Sequence, residues 1–141
     1  MLLAGRVTQG FGVATNNLAS VAALICERTG LGSVYPGTLN LRLKTPYFVE
    51  STIEISAAEY HGWERLLLQR CCLGGTRGVI VRPETHHTGN GHGAAYLEIV
   101  SEVHLRTVLA IKDGDTLVIT TGDRLACWRD MGRPEGSNQI R

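Results

Sequence analysis

Short apolar runs with a period of two recur along this chain, while only one stretch carries a helical period. The segment Thr38-Leu39-Asn40-Leu41-Arg42-Leu43 alternates strictly, so its leucines point one way and Thr38, Asn40 and Arg42 the other. Further strand signals cover residues 2–8, 52–56, 64–73, 78–81, 96–100 and 116–121. Gly74-Gly75 and Asp113-Gly114 supply turn chemistry between neighbouring runs. The helical stretch follows Gln9-Gly10-Phe11-Gly12. Asn16 or Asn17 is its expected cap, Leu18, Val21, Ala22, Leu24 and Ile25 form one apolar face, and Gly30 and Gly32 end it. Residues 84–95 read as a polar loop, and residues 103–110 as two turns of helix. Six or more short strands with one clear helix point to a small β-barrel with helical decoration, because a parallel α/β sheet needs a helix between successive strands.

The chain has 141 residues, enough for one core and too few for two ordinary domains. We expect a single domain over residues 1–128 and a polar, mobile tail over 129–141. With 43% hydrophobic and 19% charged residues it is a folded chain, not a disordered one. The formal net charge of +1 gives no general pull on nucleic acid or on an anionic membrane, so neither is an expected partner and any anion must be held locally. No apolar run approaches the roughly 20 residues of a membrane span, and residues 1–6 do not read as a signal peptide. Cys26, Cys71, Cys72 and Cys127 form no C-x-x-C pair; all four are expected to be reduced, mostly buried thiols in a cytoplasmic protein. Cys71 and Cys72 must face opposite ways on a strand.

Three places hold residues fit for chemistry. Thr38 and Asn40 project from one polar face, and a hydroxyl with an amide oxygen suits Mg²⁺, a hard cation that keeps most of its shell for water and substrate. On spacing alone, a type II turn at Pro36-Gly37 leading into a half-exposed strand is the plainer reading. Gly10, Phe11, Gly12, Val13, Ala14 and Thr15 lie between a strand and a helix, where free N–H groups suit a phosphate. No Gly-Lys-Ser/Thr follows, so this is not a Walker sequence, and a plain β–α turn is the simpler account. His86, His87 and His92 invite a metal reading with Glu84 nearby, against a solvent-exposed loop. Glu98 and Arg106 are each ambiguous alone: a site carboxylate or a surface one, a phosphate clamp or a surface cover.

Together these segments resemble the archaeal-type CTP-dependent riboflavin kinase family. The likeness covers about residues 5–121. It rests on Gly5-Arg6-Val7-Thr8-Gln9-Gly10-Phe11-Gly12, on Tyr35-Pro36-Gly37-Thr38-Leu39-Asn40-Leu41-Arg42-Leu43, and on a stretch from Gly78-Val79-Ile80-Val81-Arg82-Pro83 through Glu98-Ile99-Val100 and His104-Leu105-Arg106 to Lys112-Asp113-Gly114-Asp115. The resemblance implies a mainly β fold, a six-stranded cradle-loop barrel with one main helix and short helical segments. It implies transfer of the CTP γ-phosphate to the riboflavin 5′-hydroxyl, giving FMN and CDP. By position it makes Thr38 and Asn40 ligands of Mg²⁺, Gly10 to Thr15 a phosphate loop, and Val103, His104, Leu105 and Arg106 a second nucleotide-binding segment. Thr85 (Thr88 as rival) and Glu98 become flavin contacts, with Glu98 also the catalytic candidate. The family continues its glycine loop with Glu-Gly where this chain has Val13 and Ala14. That departure motivates an alternative, a non-catalytic flavin or nucleotide sensor on the same barrel.

Overall fold

The computed structural model describes residues 1–9, 13–50, 52–88 and 93–129. The alternating runs become strands β1 (Leu2–Thr8), β2 (Leu39–Leu43), β3 (Ile53–Ile55), β4 (Leu66–Leu73), β5 (Thr76–Pro83), β6 (Tyr96–Val100) and β7 (Thr116–Thr121). All pairings are antiparallel, in the order β3-β4-β5-β6-β2-β1-β7, and β7 returns to pair with β4 at Cys71↔Thr121 and Cys72↔Thr120. That return closes six strands into a barrel and leaves β3 as an extra strand on the edge of β4. Closure covers most of the edge that a small sheet would otherwise present.

Two apolar clusters follow from the period of two. Val7, Leu39, Leu41, Leu43, Ile80, Leu97, Ile99 and Ile119 fill the lumen. On the outer wall Leu66, Leu68, Val79 and Val81 lie beneath Leu18, Val21 and Ile25 of helix α1 (Val13–Thr29). Strand β4 is therefore covered on both sides, which is why its sequence LLLQRCCL does not alternate cleanly. Burying each of these side chains contributes about 1.5–3 kcal/mol before the entropy of ordering it is set against it.

Some local expectations shift. Helix α1 begins at Val13, so Asn16 and Asn17 lie within it rather than capping it. Ala14, a strong helix former, carries no penalty there. Gly30 ends the helix as expected, with φ 87° and its N–H donating to Cys26 O at 2.9 Å. Residues 84–88 form the short helix α2 (Glu84–Thr88), and the segment after β6 makes only one turn, α3 (Leu105–Val108). Pro83 closes β5 rather than stopping it early; at a strand end its missing donor costs little. The tail from residue 130 on lies outside the described residues.

The expectation of four reduced thiols is corrected. Cys72 and Cys127 form a disulfide across a separation of 55 residues, while Cys26 and Cys71 are free. Adjacent cysteines do face opposite ways: Cys71 packs in the lumen and Cys72 in the outer cluster. Local spacing does not expose this pair, because barrel closure brings the 3₁₀ turn Ala126–Trp128 onto β4. There Trp128 Nε1 also donates to Cys71 O at 2.9 Å.

Candidate active site

The register of β1, β2, β6 and β5 builds the site. Asn40 is opposite Thr8 on one side and Glu98 on the other, and Glu98 is in turn opposite Val81. Directly paired residues share a face, so Thr8, Asn40 and Glu98 form a row across three strands with Cβ atoms about 5 Å apart. The apolar partners of the same strands, Val7, Leu41, Leu97 and Ile99, turn into the lumen. Alternation therefore puts the polar row on the outer wall. Glu98 is buried there, and Thr38 and Asn40 are half-buried.

Thr38 precedes β2 and touches its partner: Asn40 Nδ2 donates to Thr38 Oγ1 at 3.3 Å. A hydroxyl oxygen, an amide oxygen and a neighbouring carboxylate are hard donors, so this set fits a small divalent cation whose remaining ligands come from phosphate and water. Among the described residues no group of three His, Cys, Asp or Glu side chains converges. His86 is half-buried, and burial pushes its pKa down against the opposing pull of Glu64. His92 lies outside the described residues.

A cavity of about 160 Å³ lies between Tyr35–Leu39, which holds the expected metal ligand Thr38, and the expected nucleotide-binding segment Val103–Arg106. Several bonds fix the walls. Tyr35 N–H donates to Ser101 O at 2.8 Å, and Ser101 Oγ donates to Arg77 O at 2.7 Å. His104 precedes α3, its O accepts from Thr107 and Val108 N–H, and its ring lies 5.0 Å from that of Tyr35. Arg106 pairs with Asp113 Oδ1 at 2.6 Å and reaches Thr8 O at 3.5 Å. It thus links α3 to the end of β1. Residues 10–12 of the expected phosphate loop lie outside the described residues. Val13, Ala14 and Thr15 form the first turn of α1.

Thr85 stands apart from this row. Its N–H and its Oγ1 both donate to Glu64 Oε1 at 2.9 Å, at the start of α2. Glu64 is buried and holds that segment. In sequence Glu64 marks only the start of a strand run, since nothing local distinguishes a carboxylate that meets its partner across 21 residues. Arg82 was likewise read only as part of a motif. It is 1% exposed and donates to Tyr47 O at 2.8 Å, Tyr96 O at 3.2 Å and Ala94 O at 3.3 Å. Burial pushes its pKa down to about 10.

Residues 7–121 match the family model described as "Domain of unknown function DUF120", which carries the label CTP-dep_RFKase. The chain belongs to the CTP-dependent riboflavin kinase domain family. It is similar to riboflavin kinases from Methanococcoides burtonii (36% identical over 105 residues, 66% of this chain and 44% of the relative) and Archaeoglobus fulgidus (36% over 90 residues, 57% and 37%). The riboflavin kinase of Staphylothermus marinus is 27% identical over 124 residues, covering 86% of this chain and 92% of the relative. The chain spans less than half the length of the first two. No helix among the described residues is long and apolar enough to cross a membrane.

Proposed function

We propose that this riboflavin kinase family domain transfers the γ-phosphate of CTP to the 5′-hydroxyl of riboflavin. The observation that carries the reading is the row Thr8, Asn40, Glu98 beside a cavity shared by Tyr35–Leu39 and Val103–Arg106. Phosphoryl transfer asks for in-line positioning and charge neutralisation more than for covalent help from protein. In the reaction the acceptor oxygen bonds the γ-phosphorus, the bond from that phosphorus to the β–γ bridging oxygen breaks, and CDP leaves.

Thr38 Oγ1 and Asn40 Oδ1 would hold Mg²⁺, which when bound neutralises charge on the β- and γ-phosphate oxygens. The first N–H groups of α1, together with Gly10, Phe11 and Gly12, would neutralise part of the phosphate charge. His104 and Arg106 line the nucleotide cavity. Glu98 orients the riboflavin hydroxyl and accepts its proton, and Thr85 borders the flavin. A cytoplasmic location belongs to this proposal as well, although it no longer rests on four reduced thiols, since Cys72 and Cys127 are paired.

Purified protein assayed with riboflavin, Mg²⁺ and each of CTP, ATP, GTP and UTP should form FMN, fastest with CTP. No FMN with any nucleotide overturns the proposal. Val13 and Ala14, standing where the family has Glu-Gly, motivate one second reading: a sensor that binds FMN or nucleotide without turnover. Calorimetric binding in the absence of product formation would identify it.

A further inference from the structure

Strand β4 changes neighbour in mid-course. On one edge it pairs with β3 up to Leu68 and with β7 from Cys71 onward, so Gln69 and Arg70 face a notch between the two. Consecutive residues of an antiparallel strand direct their backbone groups to opposite sides. One of this pair therefore turns its N–H and C=O into the notch. A cavity of about 1080 Å³ occupies it, walled by Thr52 and Ile53 on one side and by Thr121 and Gly122 on the other. It reaches the C-terminal end of α1, where Thr29 and Gly30 line it, and shares no lining residue with the cavity at Tyr35–Leu39. The 17 residues of α1 put its two ends about 25 Å apart.

The cavity has a built polar floor. Gln69 is 8% exposed; its Oε1 accepts from Tyr47 Oη at 2.9 Å, and Tyr47 Oη also lies 3.4 Å from the buried Thr121 Oγ1. Among the described residues the Gln69 amide nitrogen has no protein acceptor, and it lines the cavity. Arg70 is held in place by its Nε, which donates to Thr29 O at 2.7 Å, and by the Trp128 ring 5.4 Å away. Its two terminal nitrogens have no acceptor among the described residues, so a planar fork stands free at the rim. Arg124 and Arg129 add charge at the mouth, against Glu50 and Asp123.

We propose that this notch is a second small-molecule site, for a polar metabolite bearing a phosphate or carboxylate. A guanidinium fork binds either oxyanion bidentately. The Gln69 amide, the two hydroxyls and the open strand edge bind polar groups on the body of the ligand. The site is independent of the phosphoryl-transfer reading, since none of its residues belongs to that machinery.

The test is ¹H–¹⁵N NMR titration of the full chain with ribose 5-phosphate and, separately, with citrate. One of them should shift the amides of residues 69–70 and 121–125 saturably. Arg70→Gln should weaken that binding about tenfold, as expected for losing a charged hydrogen bond. Arg124→Gln should weaken it less, and Thr38→Ala should leave it unchanged. A phosphate-only or citrate-only response assigns the oxyanion. Absence of saturable shifts with both probes overturns the site. So do shifts confined to residues 35–39 and 103–106, or equal affinities in wild type and both arginine variants.

Discussion

Asn40 on β2 and Glu98 on β6 are direct cross-strand partners, so an amide and a buried carboxylate share one face of the barrel wall. Residues 58 positions apart in sequence thereby become neighbours on the barrel wall. If this pair positions phosphate and acceptor, Glu98→Gln should lower kcat about 10²-fold with little change in KM for nucleotide. Thr38→Ala combined with Asn40→Ala should lower kcat/KM about 10³-fold or more while the circular dichroism spectrum stays native. Full turnover in the double variant removes the proposed metal site.

Arg82 bonds three backbone carbonyls from inside the barrel. Arg82→Met fills part of the space but leaves those acceptors unsatisfied. The expected loss is about 3 kcal/mol, read as a lower urea midpoint at unchanged slope. A midpoint equal to wild type would show that water satisfies the carbonyls instead.

The Cys72–Cys127 disulfide closes a loop of 55 residues. Chain-entropy reasoning gives it about 4 kcal/mol, acting mainly on the unfolded state. Denaturant unfolding of the wild type with and without a phosphine reductant measures this directly. The oxidised protein should unfold at the higher concentration, and thiol titration under denaturing conditions should count two free cysteines before reduction and four after.

Glu59 ties the 3₁₀ turn Ala57–Tyr60 to α1. Its carboxylate pairs with Arg28 and accepts from Ser56 N–H at 2.8 Å. The Arg28 guanidinium, then the Ser56 N–H, lower its pKa from 4.5 to about 2. A carboxyl held lower in the folded state stabilises above its unfolded pKa and loses that contribution as pH falls. The wild type should therefore lose stability relative to Glu59→Gln between about pH 4.5 and 2, with the two thermal unfolding midpoints converging near pH 2. A constant difference across that window would show that the pair does not report on folding.

Much of the fold was legible along the chain. Strands 2–8, 96–100 and 116–121 were read at their observed bounds, and the mainly β barrel follows from their number and from a single helical stretch. The polar face of Thr38 and Asn40 was legible too, because alternation is a local property. A local pattern left the partners of that face open. Thr8 and Glu98 flank Asn40 only because β2 lies between β1 and β6, and strand order is decided by which apolar faces bury together.

The same division explains what was misread. Helix capping by Asn16 or Asn17 is a local preference, and it yielded to a helix that begins at Val13 over the outer wall of β4 and β5. Four unpatterned cysteines read as free thiols until closure of β7 onto β4 carried Cys127 to Cys72. The Tyr47, Gln69 and Thr121 floor and the Arg82 carbonyl cluster join segments tens of residues apart. Composition and periodicity determined the barrel, its lumen and the face that carries Thr38 and Asn40. Register and closure, which depend on long-range burial rather than on neighbours in sequence, decided what stands beside them.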